Sequence, residues 1–505
     1  MLRKARTFLA VLSFVGVTLL FLDVSGYLHI YLGWLAQIQF LPAVLALNVG
    51  VIIALVLITL LFGRIYCSVI CPLGILQDML ARLRPRKKKK LGRYSYSPEV
   101  RWLRYPILVL FLVALVAGIG SFVALLAPYS SFGRMAVNLL RPLYIAGNNI
   151  LAGIAERHDS YTFYHIEAVP YLLPVVLIAA GTFLLLAILA WIGGRTYCNT
   201  LCPVGTILSF LSRCSFLKIN FDEEKCRNCS ACSKACKASC IDFKTHTVDY
   251  SRCVVCGNCI DSCKFGALKY DHPRLHGKAQ AHTPQPDSSP SVSPASTDEG
   301  RRAFLIGGAL ASTSALFAQK VKVDGGLADI EDKVVPERQT PLTPPGSLSA
   351  RHFQQHCTGC QLCVSQCPNQ VLRPSTGLLT LMQPTMSFEH GYCRPECNRC
   401  STVCPTDAIR PITIEEKSST QIGHAVWIKK NCVVLTDGVE CGNCARHCPV
   451  GAIQMVPLNP EDEFSPSVPA VNEAKCIGCG ACENLCPARP FTAIYVEGHE
   501  VHKEI

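Results

Sequence analysis

The chain has 505 residues, half of them apolar and only 17% charged, with a formal net charge of +12 and 30 cysteines. That balance fits several domains, with membrane segments beside soluble parts. It excludes a nucleic-acid surface as the source of the charge: much of it sits in Arg82, Arg84, Arg86 and Lys87 to Lys90, between two apolar runs and without interleaved aromatics.

Four apolar stretches, 7–27, 43–62, 105–127 and 170–192, reach the roughly 20 residues needed to cross a bilayer. Tyr27, Tyr31, Trp34, Trp102, Tyr105 and Trp191 flank them at interface depth. Arg3, Lys4 and Arg6 precede the first stretch, and loop 63–104 holds eleven Lys or Arg against Asp78 and Glu99. In loop 128–169, Arg134, Arg141 and Arg157 are balanced by Glu156, Asp159 and Glu167. The basic asymmetry predicts that the N-terminus, loop 63–104 and the segment after 192 are cytoplasmic.

The second and fourth stretches end in one phrase, G-R-x-Y-C-x3-C-P-x-G, at Gly63 to Gly74 and again at Gly194 to Gly205. This marks an internal two-span repeat. Cysteines four apart share one face of a helix, and Pro72 and Pro203 perturb the backbone beside them. Cys67, Cys71, Cys198 and Cys202 are therefore candidates for a thiol or metal site handling electrons, a seventh metal site. The alternative is helix-packing cysteines at a tight turn.

Most other cysteines fall in C-x2-C-x2-C-x3-C runs, the spacing of cubane 4Fe-4S ferredoxins, rather than in a disulfide scaffold. Three thiolates come from one tight loop and the fourth from the partner run. In residues 206–270 this predicts Cys226, Cys229, Cys232 with Cys263, and Cys253, Cys256, Cys259 with Cys236. Lys237 and Lys264 replace the usual proline, and Cys214 and Cys240 remain as plain thiols. Residues 351–505 carry four more runs. Crossing them predicts Cys357, Cys360, Cys363 with Cys404; Cys393, Cys397, Cys400 with Cys367; Cys432, Cys441, Cys444 with Cys486; and Cys476, Cys479, Cys482 with Cys448. The first gaps at Cys393 and Cys432 are longer and require only a larger loop. Zinc also binds cysteine quartets, but the ferredoxin tail after most runs, such as Pro449 to Ile453, favours six 4Fe-4S clusters. No C-x-x-C-H or G-x-G-x-x-G motif points to covalent haem or a nicotinamide. His29, His158 and His165 read as loop histidines.

Between the modules, 271–300 reads as a disordered linker and 321–350 as a second linker with Pro341, Pro344 and Pro345. Segment 301–320 opens with Arg301-Arg302 before Phe304-Leu305 and reads as a twin-arginine-like signal or an uncleaved fifth span. The expected architecture is multi-domain: an α-helical membrane bundle over 1–205 and two α+β ferredoxin-like modules. The first module is expected in the cytoplasm and the second in the periplasm, both tied to the cell inner membrane.

On these spans, C-x3-C-P phrases and first two runs, residues 1–270 resemble the NapH type of membrane quinol dehydrogenase polyferredoxin. On the twin arginine, the four runs and the long first gap at Cys432, residues 301–505 resemble the NapG and MauM type of periplasmic ferredoxin. The membrane phrase also occurs in NosR-like and FixG-like proteins. The resemblance implies quinol oxidation from the quinone pool and electron delivery to a terminal reductase, another metalloenzyme or a cytochrome carrier. The alternative is an electron-supplying assembly or regulatory factor for another metalloenzyme. One difficulty follows. A hydrocarbon core of about 30 Å would separate the modules, so either quinol links them, or the C-x3-C-P cysteines lie deeper than the cytoplasmic face, or the topology differs.

Overall fold

A computed structural model describes residues 2–83, 94–160, 162–167, 172–272, 331–462 and 464–505. The linker 271–300 beyond residue 272, the twin-arginine segment 301–320 and residues 321–330 lie outside the described residues.

Four long helices run antiparallel: α1 Leu2–Leu22, α2 Val49–Phe62, α3 Arg101–Ala117 and α4 Leu173–Gly193. The first module gathers at one set of ends. Arg3 pairs with Asp261 (3.2 Å), Tyr270 donates to Phe62 O (2.9 Å), Arg104 donates to Ser251 O (3.2 Å), and the Arg195 amide donates to Lys237 O (3.0 Å). The second module meets the opposite ends. Gln366 donates to Asp23 O (2.8 Å) just past α1, and the Ser121 amide donates to Leu379 O (3.3 Å) just past α3. The 21 residues of α1 therefore hold the modules apart by about 31 Å at 1.5 Å per residue.

Among the described residues two helices, from Arg3 to Leu22 and from Leu173 to Gly193, are long and apolar enough to cross a membrane. The expected stretch 105–127 is broken where Gly118 adopts a left-handed conformation (φ +74°), giving α3 and a short helix Gly120–Leu126. The stretch 43–62 is divided as well: a separate helix, Phe40–Leu45, precedes Asn48, whose side chain caps α2 at the Val51 amide (3.3 Å). Loop 128–169 is largely helical, over Pro128–Met135, a π turn at Ala136–Leu140, and Arg141–Glu156.

Both cysteine-rich modules are built from short helices and two-stranded antiparallel ribbons. In the first, Lys218–Phe221 pairs with Leu268–Asp271. In the second, Thr420–Trp427 pairs with Ile494–Glu504, and Ile453–Pro457 with Ser467–Val471. Isolated ribbons of this size are marginal in water, so much of the fold depends on what the cysteines hold. The described part of the expected linker 321–350, residues 331–350, is not a free tether. Leu342 is in the core, the Val334 amide donates to Pro490 O (2.9 Å), and Arg338 makes a two-pronged contact with Glu483 (2.6 and 2.8 Å). Prolines in this segment fix an extended strap that packs on the module.

Candidate metal centres

In the ferredoxin modules the chain curls around its cysteines locally. The residue after the second cysteine is left-handed in four runs: Ser230, Gly257, Gln361 and Gly480, with φ of +59°, +74°, +65° and +78°. Each then starts a one-turn helix that carries the third cysteine. The two runs with longer first gaps differ, with Asn398 at φ −114° and Gly442 at φ −147°.

Three quartets line cavities of their own. Cys226, Cys229, Cys232 and Cys263 line one; Cys367, Cys393, Cys397 and Cys400 line another; Cys432, Cys441, Cys444 and Cys486 line a third. In the other three, the thiols lie within electrostatic reach across the runs: Cys236 with Cys256 and Cys259, and Cys259 in turn with Cys253; Cys404 with Cys357, Cys360 and Cys363; Cys448 with Cys476 and Cys479. Among the described residues, no three or more His, Cys, Asp or Glu side chains are gathered to hold a single metal ion. The three cavity-lining quartets each surround a space, which suits an inorganic group contacted at its corners. Cys214 is exposed. Cys240, read from sequence as a plain thiol, is buried with its Sγ 3.5 Å from Cys236 Sγ.

The repeated phrase builds a further quartet. Cys67, Cys71, Cys198 and Cys202 are all buried and within electrostatic reach of one another. Each pair does not share one helix, contrary to the sequence reading. A short helix carries the first cysteine (Tyr66–Val69, Thr196–Thr200), the chain breaks, and Pro72 or Pro203 opens the next helix (Pro72–Leu83, Pro203–Arg213). Proline suits that first helical position because no intrahelical bond is lost there.

The two copies grip each other through exchanged arginines. Arg64 donates to Cys198 O (3.2 Å), and Arg195 donates to Cys67 O (2.6 Å). Gly205 and Gly74 permit this approach. A Cβ on Gly205 would lie 2.4 Å from Cys198 O and 2.8 Å from Arg64 Nη2; on Gly74 it would lie 2.2 Å from Cys67 O. Tyr66 bonds back to Gln39 Oε1 (3.1 Å), and Tyr197 to Leu126 O (3.1 Å), each anchoring its copy to the segment before it.

The charges around this quartet are unusual for a protein interior. Asp78 is buried and meets Arg195 (2.8 Å), Lys237 (2.8 Å) and Arg6 (3.4 Å). Burial pushes its carboxyl up, but the Arg195 and Lys237 cations outweigh that and hold it well below the usual carboxylate range. Arg64 is fully buried, and its acceptors Asn199 Oδ1 (3.1 Å), Ser251 O (2.8 Å) and Cys198 O are all neutral. Its Nη2 also lies 3.8 Å from Cys67 Sγ. A buried cation without a counter-charge is costly, so the donor set fits an anionic group held by the four cysteines.

The quartet is connected on both sides. Toward the first module, Lys237 stands between Asp78 and Cys256; the lysine that replaces the ferredoxin proline is thus the link to the bundle. Toward the second module, Tyr197 lies near Cys198, Cys202 and Arg134, Arg134 near Cys360, and Tyr129 near Cys360 and Cys404. Arg134 is buried with neutral acceptors, Ala124 O and Ser131 Oγ. Beyond these, Cys363 lies within electrostatic reach of Cys400 and Cys482 within reach of Cys444, and the Cys393 amide donates to Cys479 O (2.9 Å). Sequence reasoning noted Lys237 as a departure from the usual proline and Arg134 as a loop charge, but gave neither of them, nor Tyr197 or Tyr129, a connecting role. The arginines and tyrosines of the repeated phrase were the available signal, whereas Arg134 and Tyr129 carry none.

Residues 44–90 and 172–222, which include the repeated phrase, match a family described as a 4Fe-4S binding domain. Residues 356–433 and 439–489 match a 4Fe-4S dicluster domain, and 246–269 another 4Fe-4S binding domain. The methylamine utilization ferredoxin-type protein MauM of Methylobacillus flagellatus is 32% identical over 29% of this chain, which spans 64% of that protein. The ferredoxin-type proteins NapF and NapG of Escherichia coli are 28% and 27% identical over 31% and 38% of this chain, covering 87% and 83% of their own lengths. The chain is accordingly a multi-domain iron–sulfur electron-transfer protein with several 4Fe-4S ferredoxin domains, related to the Nap and Mau ferredoxin-type proteins.

Proposed function

We propose that this protein is a membrane-bound relay that takes electrons from quinol and passes them to a partner metalloenzyme, combining a NapH-type membrane part with a NapG/MauM-type ferredoxin. Six 4Fe-4S clusters are assigned to the crossed cysteine sets named from the sequence, and a seventh group to Cys67, Cys71, Cys198 and Cys202. Such clusters accept and release one electron at a time. The observation that carries the reading is the position of the buried quartet, between two ferredoxin modules held at opposite ends of the helices.

Arg64 and Arg195 hold the peptide carbonyls of Cys198 and Cys67 and set the thiol directions. Their charges offset the anionic character of a thiolate-bound group in a dry site. Tyr197, Arg134 and Tyr129 fill the space toward Cys360 and exclude water from it. A membrane setting is supported by the outward faces of all four helices, with Phe8, Ile53, Val113, Val116 and Leu184 exposed. Only 33% and 22% of the apolar windows in α1 and α4 are buried, too little for the core helices of a soluble domain. On this reading the first module is cytoplasmic and the second periplasmic, in the cell inner membrane.

Iron and sulfide content after anaerobic purification tests the assignment. Seven cubanes require about 28 iron atoms per chain and six about 24. The Cys67→Ser, Cys198→Ser double variant is expected to lose about four iron atoms while keeping the other clusters' spectra. An unchanged iron content in that variant contradicts a cluster at the quartet.

A further inference from the structure

The far end of the bundle and the second module enclose a cavity of about 320 Å³, within the range of about 300–1,000 Å³ typical of small-molecule sites. From the bundle come Val24 just after α1, Asn138, Arg141 and Ile145, and Leu172 just ahead of α4. From the module come the segment after Cys360 and the strand with Arg373. The two walls are pinned together by Asn138 Nδ2 donating to Gln361 Oε1 (2.8 Å) and by Gln366 on Asp23 O.

Three features define what would fit. Val24, Val137, Ile145, Val364 and Leu372 give the cavity apolar walls. Arg373 is a polar feature only partly satisfied: its side chain is 11% exposed, Glu389 pairs with Nη1 at 4.0 Å, and Nε and Nη2 have no hydrogen-bond partner among the described residues. A buried guanidinium of that kind calls for an acceptor oxygen. Finally, Cys367 lines both this cavity and the one it shares with Cys393, Cys397 and Cys400. A molecule here would sit against a side chain of a candidate redox centre. At the edge, Leu143, Leu173 and Leu177 are exposed and continue the apolar surface away from the cavity, a course suited to a greasy tail.

We propose that this cavity binds the ring of a quinol, with Arg373 donating to one ring oxygen, the apolar walls covering the ring faces, and the tail leaving between α4 and the helix Arg141–Glu156. Oxidation there would send two electrons to the group that Cys367 would hold with Cys393, Cys397 and Cys400, and the two hydroxyl protons to solvent past His165 and Glu167, both exposed on the cavity lining. The proposal rests on the reading of quinol as the electron donor and adds where it binds. It places quinol at the second module's end of the bundle.

The test uses the full chain in its membrane, with a photoreactive azido-quinone as probe and peptide mapping as readout. Labelling is expected within 137–145 or 361–374. Arg373→Gln should reduce labelling at a fixed probe concentration and raise the quinol concentration for half-maximal cluster reduction, each about tenfold, the scale of one lost charged hydrogen bond. Leu172→Trp, which narrows the mouth without touching Arg373, should do the same, with iron content unchanged in both. Labelling confined to other segments, or unaltered labelling in both variants with iron retained, overturns the site. If the azido-quinone labels the cavity but quinol does not reduce the parent's clusters, the site stands as a quinone site and the donor reading falls.

Discussion

Two kinds of cysteine quartet occur in this molecule. In four of the six ferredoxin-type runs, three cysteines come from a single loop shaped by a left-handed residue such as Gly257 or Gly480. In the bundle quartet each copy of the repeat supplies two cysteines, and the geometry comes from the other copy. Arg64 reaches Cys198 and Arg195 reaches Cys67, across 134 and 128 positions of chain. The first kind is set by local turns and can be moved between proteins as a unit. The second exists only when the helices are assembled, so on the proposed function it would tie electron transfer to the fold of the whole bundle.

That contrast predicts unequal sensitivities. The largest effect is expected at Asp78. Asp78→Asn leaves Arg195, Lys237 and Arg6 as buried cations and should destabilise the bundle by about 3–5 kcal/mol. Asp261→Asn, which breaks only the exposed pair with Arg3, should cost no more than about 1 kcal/mol. Thermal unfolding in detergent measures both, and equal losses would dissolve the distinction.

The repeat itself is not perfectly symmetric, and its glycines sharpen the comparison. Gly63 and Gly194 both have positive φ (+74° and +72°). A Cβ on Gly194 would meet Lys237 O at 2.4 Å, whereas on Gly63 it would meet Val255 Cγ2 at 3.2 Å, a side chain able to move. Gly194→Ala should therefore fall at the upper end of about 1–3 kcal/mol and Gly63→Ala at the lower end. Protease resistance of the first module reports the difference.

A smaller effect separates the second module by pH. Burial, with the neighbouring His499, lowers the His502 pKa from 6.5 to about 4. The unfolded chain thus takes up this proton first as pH falls. The stability held by neutral His502, whose Nε2 meets Thr343 Oγ1 at 3.0 Å, is full above about 6.5 and is lost as pH drops toward about 4. His502→Gln should flatten that part of the pH dependence of unfolding; an unchanged slope would assign it to other groups.

What was legible from sequence follows the same division. The C-x2-C-x2-C spacing encodes a turn, so the 4Fe-4S ferredoxin domains could be read directly. The shared phrase revealed the repeat. Its consequence, a buried quartet between the modules, depends on how two helix pairs dock, which no local spacing records. Lys237 looked like a missing proline and is instead a contact to Asp78. Gly118 looked like one apolar-run residue and instead ends α3, because its left-handed backbone stops the helix. The strap around Leu342 was read as linker because prolines signal irregular chain, not whether that chain is packed.

The central claim, that the bundle quartet joins the two modules, is tested most directly with the protein oriented in sealed vesicles. Dithionite, which does not cross the membrane, is added on the second module's side, and the absorbance of both modules' clusters is followed. The account predicts that in the parent the first module is reduced as well, and that in the Cys67→Ser, Cys198→Ser variant reduction stops at the second module. Equal reduction of the first module in parent and variant would contradict it.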